Sequence, residues 1–280
     1  MISDQIEELP DGTLIQHGPY NDRIYLMKLA KSCTKKLPIN LINMARQYGY
    51  TKIFVKVPEY QAEQFAQVGY SVEATIPGLY NGSEKGLFMG YYLNDIRVVE
   101  QQAEILDNIL RLAKDKSGTT ISSVNKENFS LKKCKEKDAE KMASLYREVF
   151  KTYPFPIHDP LYLRDTMQQN VNYFGVEKNG NLVALSSAEI DVEALNVEMT
   201  DFATSPEWQG NSLGIHLLLL MEKEMKQKGI KVAYTIARAA SLGINIVFSK
   251  LGYQYGGRLK NNTNIFGNIE SMNIWHKTLS

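Results

Sequence analysis

The stretch from Asn196 to Lys228 limits the folds open to this chain more than any other. A β-compatible run over Val197–Thr204 stops at Ser205-Pro206, and Pro206 cannot continue a central ladder. Gln209-Gly-Asn-Ser-Leu-Gly214 then supplies small, turn-forming residues, and Leu213, Leu217, Leu218, Met221 and Met225 repeat at helical spacing on one face. The order is strand, turn, helix. The first amides of such a helix have no intrahelical partner and face out of the turn at the positive end of the helix dipole, so they favour an anion, a phosphate above all. Ordinary strand-to-helix connections use the same residues for steric reasons, so the segment alone leaves both readings open.

A chain of 280 residues with 44% hydrophobic and 22% charged residues can bury one large core or two modest ones, and two domains are expected. With 32 basic against 31 acidic residues, no overall field draws it to nucleic acid or to anionic membranes, so neither is expected as a partner. Cys33 and Cys134 lie far apart in sequence, which predicts free thiols in a reducing compartment rather than a disulfide. The polar start Met1-Ile2-Ser3-Asp4 is unlike a secretory leader, and no apolar run approaches the ~18 residues of a membrane span, so a cytoplasmic protein is expected.

The first half makes sense beside the second. Leu41, Ile42 and Ala45 predict a helix ended by Gly49, followed by the β-rich run Lys52–Pro58, a helix from Glu59 to Val68, Gly69-Tyr70, and strands over Ser71–Ile76 and Leu87–Leu93. After Lys228 the order returns: strand Lys231–Ala237, helix Leu242–Lys250, Gly252-Tyr253, strands. Phe65-Ala-Gln-Val-Gly69-Tyr70 and Phe248-Ser-Lys-Leu-Gly252-Tyr253 match in spacing and type, which predicts a degenerate half-repeat. The first copy lacks an evident phosphate turn and reads as a structural half without catalysis.

Between the halves, Val98–Ala113 is amphipathic through Val98, Ile105, Ile109 and Leu112, and Lys114–Thr120 is a charged, turn-prone linker. The second domain begins near Phe129-Ser-Leu131. Asp138 is placed to cap a helix carrying Met142, Leu145, Tyr146 and Val149. Tyr153-Pro-Phe-Pro-Ile-His-Asp-Pro160 is too rich in proline for helix and forms a stiff aromatic loop, either cover for an apolar edge or a substrate wall. Tyr173–Lys178 and Leu182–Asp191 form a hairpin through Asn179-Gly180.

From Phe129 onward this order, with Gln209-x-x-Ser212-x-Gly214 after a strand, resembles the GNAT acetyltransferases and their pyrophosphate loop. Ser212 stands where the family has its first glycine, which is tolerable at negative φ. The resemblance implies a mixed α/β fold, a C-terminal GNAT domain over residues 121–280 preceded by a partial GNAT-like, non-catalytic domain over residues 1–120, and acetyl-CoA as co-substrate with no metal. It implies that Gln209, Gly210, Asn211, Ser212, Leu213 and Gly214 grip coenzyme A. An amide near Phe202, Ala203 and Thr204 would polarise the thioester, and Asn245 and Phe248 would lie along the pantetheine arm. Glu198, at the family's spacing before the loop, takes the role of general base, with Asp201 as fallback or as a partner for the substrate's cation. Three-residue spacing puts these two acids on opposite strand faces unless a bulge intervenes. The family's thiolate-protonating tyrosine is Phe248 here, so no general acid is named.

Tyr153-Pro-Phe-Pro-Ile, Asn262-Thr-Asn-Ile and Glu270–Trp275 further resemble the β-lysine acetyltransferases of the osmoprotectant pathway. That implies a small-molecule amine substrate lined by Tyr153, Phe155, His158, Asp159, Glu189, Asp191, Asn262, Asn264, Glu270 and Asn273. A homodimer is compatible with the family. Acetylation of a peptide lysine or another amine, or a non-catalytic acyl-CoA-binding module, are the alternatives.

Overall fold

Residues 4–30, 34–120 and 129–279 are described by the computed structural model. The boundary expected after residue 120 opens onto 121–128, which lie outside the described residues, as do Cys33 and residues 1–3.

The chain opens with an antiparallel meander, β1 (Gln5–Glu8), β2 (Leu14–Gly18) and β3 (Arg23–Lys28). No sequence expectation covers these strands; β1 is wholly exposed, whereas β2 and β3 are mostly buried. Helix α1 (Leu37–Tyr48) ends at Gly49, whose φ of 74° gives the left-handed cap that glycine adopts without steric cost. Then come β4 (Lys52–Pro58), parallel to β3, helix α2 (Glu59–Ala66), and the hairpin β5 (Ser71–Tyr80) and β6 (Glu84–Tyr92). Helix α3 (Ala103–Lys114) starts later than its apolar pattern suggested, after a 3₁₀ turn over Asp95–Arg97. Val98 is therefore not on it. Leu106, Leu110 and Ala113 form its inward face, while Ile105 stays 57% exposed.

The second half adds β7 (Ser130–Lys133), α4 (Ala139–Val149), α5 (Pro160–Gln168), β8 (Val171–Lys178), β9 (Asn181–Asp191), β10 (Asn196–Thr204), α6 (Leu213–Gln227), β11 (Val232–Arg238), α7 (Leu242–Lys250), β12 (Gln254–Ile265) and β13 (Asn268–Thr278). Asp138 precedes α4 but does not cap it with its side chain; its carboxylate instead accepts from Lys135 N at 2.8 Å and Lys132 Nζ at 3.0 Å. Asn179 and Gly180, at φ 51° and 79°, make the expected tight turn between β8 and β9.

Among the described residues thirteen strands join one sheet in the order β1-β2-β3-β4-β6-β5-β12-β13-β11-β10-β9-β8-β7. Each half contains one parallel pair, β3/β4 or β10/β11, followed toward the middle of the sheet by an antiparallel hairpin. The halves meet where β12 pairs with β5 at Gly257 and Ala74. A Cβ at Gly257 would lie 2.6 Å from Ala74 Cα and collide with Glu73 O, so this seam requires glycine.

The sheet is strongly curled. Five strand spacings separate β4 from β11, about 24 Å in a flat sheet, yet Lys56 Nζ on β4 donates to Tyr234 Oη on β11 at 3.0 Å. Strand alternation fills both faces. Ile24, Leu26, Ile53, Val55 and Val57 pack outward on α1 and α2, and Val197, Met199 and Ala233 pack outward on α6 and α7. Inward, Tyr25, Phe54 and Phe88 of one half meet Val232, Tyr234 and Ile274 of the other. A fourth cluster, under α4 and α5, includes Tyr146, Tyr173, Leu185 and Ala203.

Candidate active site

Strands β10 and β11 pair only from Asn196/Val232 to Glu198/Tyr234 and then part. The ladder of β10 on β9 also breaks, jumping from Thr200↔Ser187 to Ala203↔Leu185, with Asp201 at φ 55°. This bulge exchanges the strand's faces. Val197, Met199 and then Phe202 look toward α6 and α7, while Ala203 joins the cluster under α4. Asp201 consequently shares a face with Glu198, and both line a cavity of about 360 Å³ on the concave side of the sheet.

The walls of that cavity come from both halves. Glu189 stands directly across the ladder from Glu198. Tyr234 hydrogen bonds to Glu198 and accepts from Lys56, so the three side chains form a chain. Asp201 accepts from Ser187 Oγ at 2.6 Å and from the Tyr153 hydroxyl. Burial pushes the carboxyls of Glu189, Glu198 and Asp201 above the usual range; at Glu198, Lys56 and the Tyr234 hydroxyl work against that rise, and at Asp201 the Ser187 and Tyr153 hydroxyls do. An amine cation entering here meets acids that hold protons more firmly than acids in water.

A second cavity, about 740 Å³, occupies the gap between the parted strands and runs to the turn before α6. Phe202, Thr204, Gln209, Gly210, Ser212, Leu213 and Gly214 line it, opposite Thr235–Arg238 of β11. Ser212 departs from the expected negative φ: it takes 56°, the left-handed conformation a glycine would adopt there. The first turn of α6 carries no acid and no side-chain cap, so no side chain of its own occupies the anion-favouring end. Tyr153, Pro154, Thr200 and Asp201 line both cavities, which therefore share a rim.

Several residues expected at these sites do not reach them. Asn245 is fully buried, donating to Arg238 O and Ser241 O and accepting from Asn273 and Trp275, so it ties α7 to β11 and β13. Asn273 is the other member of that buried pair. Phe248 and Ala203 are core residues, and Asn211 is exposed with its amide turned back to Trp208 O. Asp159 caps α5 at Leu161 N, and His158 lies against the end of α4, its carbonyl accepting from Arg147. Asn264 bonds to Tyr20 O and Gly267 N, and Glu270 is held by Arg238 beside a different cavity. Amides and acids near a turn satisfy the local backbone first, so these side chains, expected at the site from the family resemblance, are held by their own segments instead. Tyr153, Phe155, Glu189, Asp191 and Asn262 do line the first cavity. Missed were Arg23, Tyr25, Lys56 and Tyr234, although Lys52 and Lys56, on one face of an otherwise apolar strand, carried a signal.

The model of the acetyltransferase (GNAT) family matches residues 139–253, from α4 past the turn before α6 to the end of α7. The chain is 41% identical to the β-lysine N(6)-acetyltransferase of Methanococcus maripaludis over 98% of each chain. It belongs to the GNAT acetyltransferase family. A second relative, the β-lysine N(6)-acetyltransferase of Methanosarcina mazei, is 35% identical over 81% of this chain and 91% of its own. Among solved structures, the ribosomal-protein-S18-alanine N-acetyltransferase of Escherichia coli superimposes on 54% of this chain and 94% of its own, with a TM-score of 0.48 and 15% identity. The acetyltransferase uses acetyl-CoA as its acetyl donor. Its fold is the mixed α/β one, a C-terminal GNAT fold preceded by a partial GNAT-like half. Among the described residues no group of His, Cys, Asp and Glu is arranged to hold a metal ion, and no helix is long and apolar enough to cross a membrane.

Proposed function

We propose that this acetyltransferase transfers the acetyl group of acetyl-CoA directly to the terminal amine of β-lysine, 3,6-diaminohexanoic acid, in a ternary complex. The observation that carries the reading is the shared rim: an amine cavity and a cofactor cleft meet at Tyr153, Thr200 and Asp201. Coenzyme A lies in the larger cleft with its pyrophosphate at the Gln209–Gly214 turn, and the thioester reaches the rim between the parted strands. The backbone of the β10 bulge, beside Phe202, donates to the oxyanion. A fixed amide needs no reorganisation as charge develops there.

An alkyl ammonium of pKa about 10.4 must lose its proton first, at a cost of roughly 4–5 kcal/mol at pH 7. Asp201 is the acid on the rim and takes that proton. Glu198, assigned this role from sequence spacing, lines only the inner cavity and with Glu189 holds cationic charge there. Both carboxyls are held above their usual range mainly by burial, which brings their proton affinity closer to that of the amine they serve. The thiolate leaves without a tyrosine: Phe248 is core, and Tyr253 packs against it away from the cleft. A thiol of pKa about 8.5 is a tolerable leaving group as the anion.

Acetylation removes one positive charge, converting a cation of net charge +1 into a neutral zwitterion. That suits a compatible solute, which must accumulate without unbalancing ions. The two relatives named for β-lysine support this substrate, and walls drawn from both halves favour a free amino acid over a peptide lysine, whose backbone would need an open groove. Thiol release from acetyl-CoA across β-lysine, α-lysine, diamines and lysine peptides tests it. Highest kcat/KM on β-lysine is the expected result; a preference for peptides, or no turnover with any amine, would sink the assignment.

A further inference from the structure

Resting on the β-lysine reading, we propose that the N-terminal half is part of the substrate site, with Arg23 and Lys56 forming the anchor for the substrate's carboxylate. The charges of the inner cavity are divided by origin. Its acids, Glu189, Asp191, Glu198 and Asp201, come from the C-terminal half, and its cations, Arg23 and Lys56, come from β3 and β4. Among the described residues no acid lies within ion-pair distance of either cation. Arg23, 5% exposed, donates through Nη1 to Asn262 O at 2.5 Å and Thr263 Oγ1 at 3.2 Å, but its Nε has no partner. Lys56 gives one bond, to Tyr234 Oη, where an ammonium can give three.

The acceptors in the same wall are also unfilled. Gln16 Oε1 and Asn262 Oδ1 are buried without partners, and both residues line the cavity. Buried polar groups are normally paired, so unmet donors and acceptors gathered around one cavity point to a ligand that supplies both. The carboxylate of β-lysine completes Arg23 and Lys56, and the ammonium two carbons from it completes the neighbouring amide oxygens and acids. The orientation follows. The amino-acid head lies against the N-terminal half, and the terminal amine reaches Asp201 at the rim. Acids alone would accept any polyamine; the cations opposite them select an amino acid.

The test compares β-lysine with 1,4-diaminopentane, which is β-lysine without its carboxylate, in the wild type, Lys56→Met and Lys56→Arg. The wild type should favour β-lysine in kcat/KM. Lys56→Met should cut that preference by roughly 30-fold or more, chiefly through KM for β-lysine. Lys56→Arg should keep most of it. Lys56 also touches Glu198 through Tyr234, but a loss by that route falls on both amines alike. Equal loss on both, in a variant whose coenzyme A affinity by calorimetry matches the wild type, overturns the carboxylate anchor. A wild type that does not acetylate β-lysine, or prefers the diamine, overturns the substrate reading beneath it.

Discussion

Asp201 holds an unusual backbone angle, three hydroxyl donors, Ser187, Tyr153 and Thr200, and a place on the rim of both cavities, and the angle and the place both come from the bulge. Because burial raises the carboxyls of Asp201 and Glu198, their ionised forms are lost as pH falls through values above the ordinary carboxylate pKa of about 4. The kcat/KM of the wild type should therefore fall on the acid side earlier than free carboxylates would dictate. Asp201→Asn should lower kcat by roughly 10²-fold or more near neutrality and by less at high pH, where the amine deprotonates unaided. Glu198→Gln should act mainly on KM. A pH profile of each variant checks this, and the reverse pattern would return the base role to Glu198. Phe248 tests the leaving group. Its ring lies in the core against Phe202 and Tyr253, so Phe248→Tyr buries a hydroxyl away from the cleft. We expect no gain in turnover and a loss of roughly 1–3 kcal/mol in urea unfolding; a clear gain would show that thiolate protonation limits the rate.

At the scale of elements, the turn before α6 was the most legible part of the chain, because proline, glycine and a helical stripe act locally and leave little to tertiary context. Helix α7 and the β8–β9 hairpin follow the same logic. The bulge in β10 was not legible: no glycine marks it, and Asp201 is driven into the left-handed region by pairing with β9 that sequence does not display. The inward face of α3 was misread for a related reason, since docking against α7 selected a stripe different from the most apolar one. Gly214 offers an element-scale prediction. A Cβ there would sit 3.4 Å from Val247 Cγ2 and 3.8 Å from Phe202 Cδ1, so alanine is tolerated but a longer side chain must enter the cleft. Gly214→Leu should fold and bind coenzyme A about tenfold or more weakly by calorimetry, a loss of about 1.4 kcal/mol or more. Unchanged affinity would move the cofactor elsewhere.

At the scale of the whole molecule, the half-repeat was visible in the matched Phe-to-Tyr segments, but its use was not. Curvature carries β4 back to β11, and nothing in a local pattern of residues reports which distant strands a curled sheet will bring together. The seam at Gly257 holds that closure. Gly257→Val should force β12 from β5, destabilise the protein by several kcal/mol, and raise KM for the amine more than it weakens coenzyme A, whose cleft lies wholly within the C-terminal half. Equal loss of both affinities, or of neither, would count against the seam as the device that completes the amine cavity. The seam has one more consequence. β5 and β12 hold equivalent places in their halves and meet antiparallel, the joint that a two-fold axis makes between identical subunits. Identical subunits would be bound by that axis to make every contact twice, each side carrying the same acids and the same cations. Two halves in one covalent chain are free of it: one can specialise in anions and the other in cations, and an amino acid with unlike ends then fits between them in a single direction.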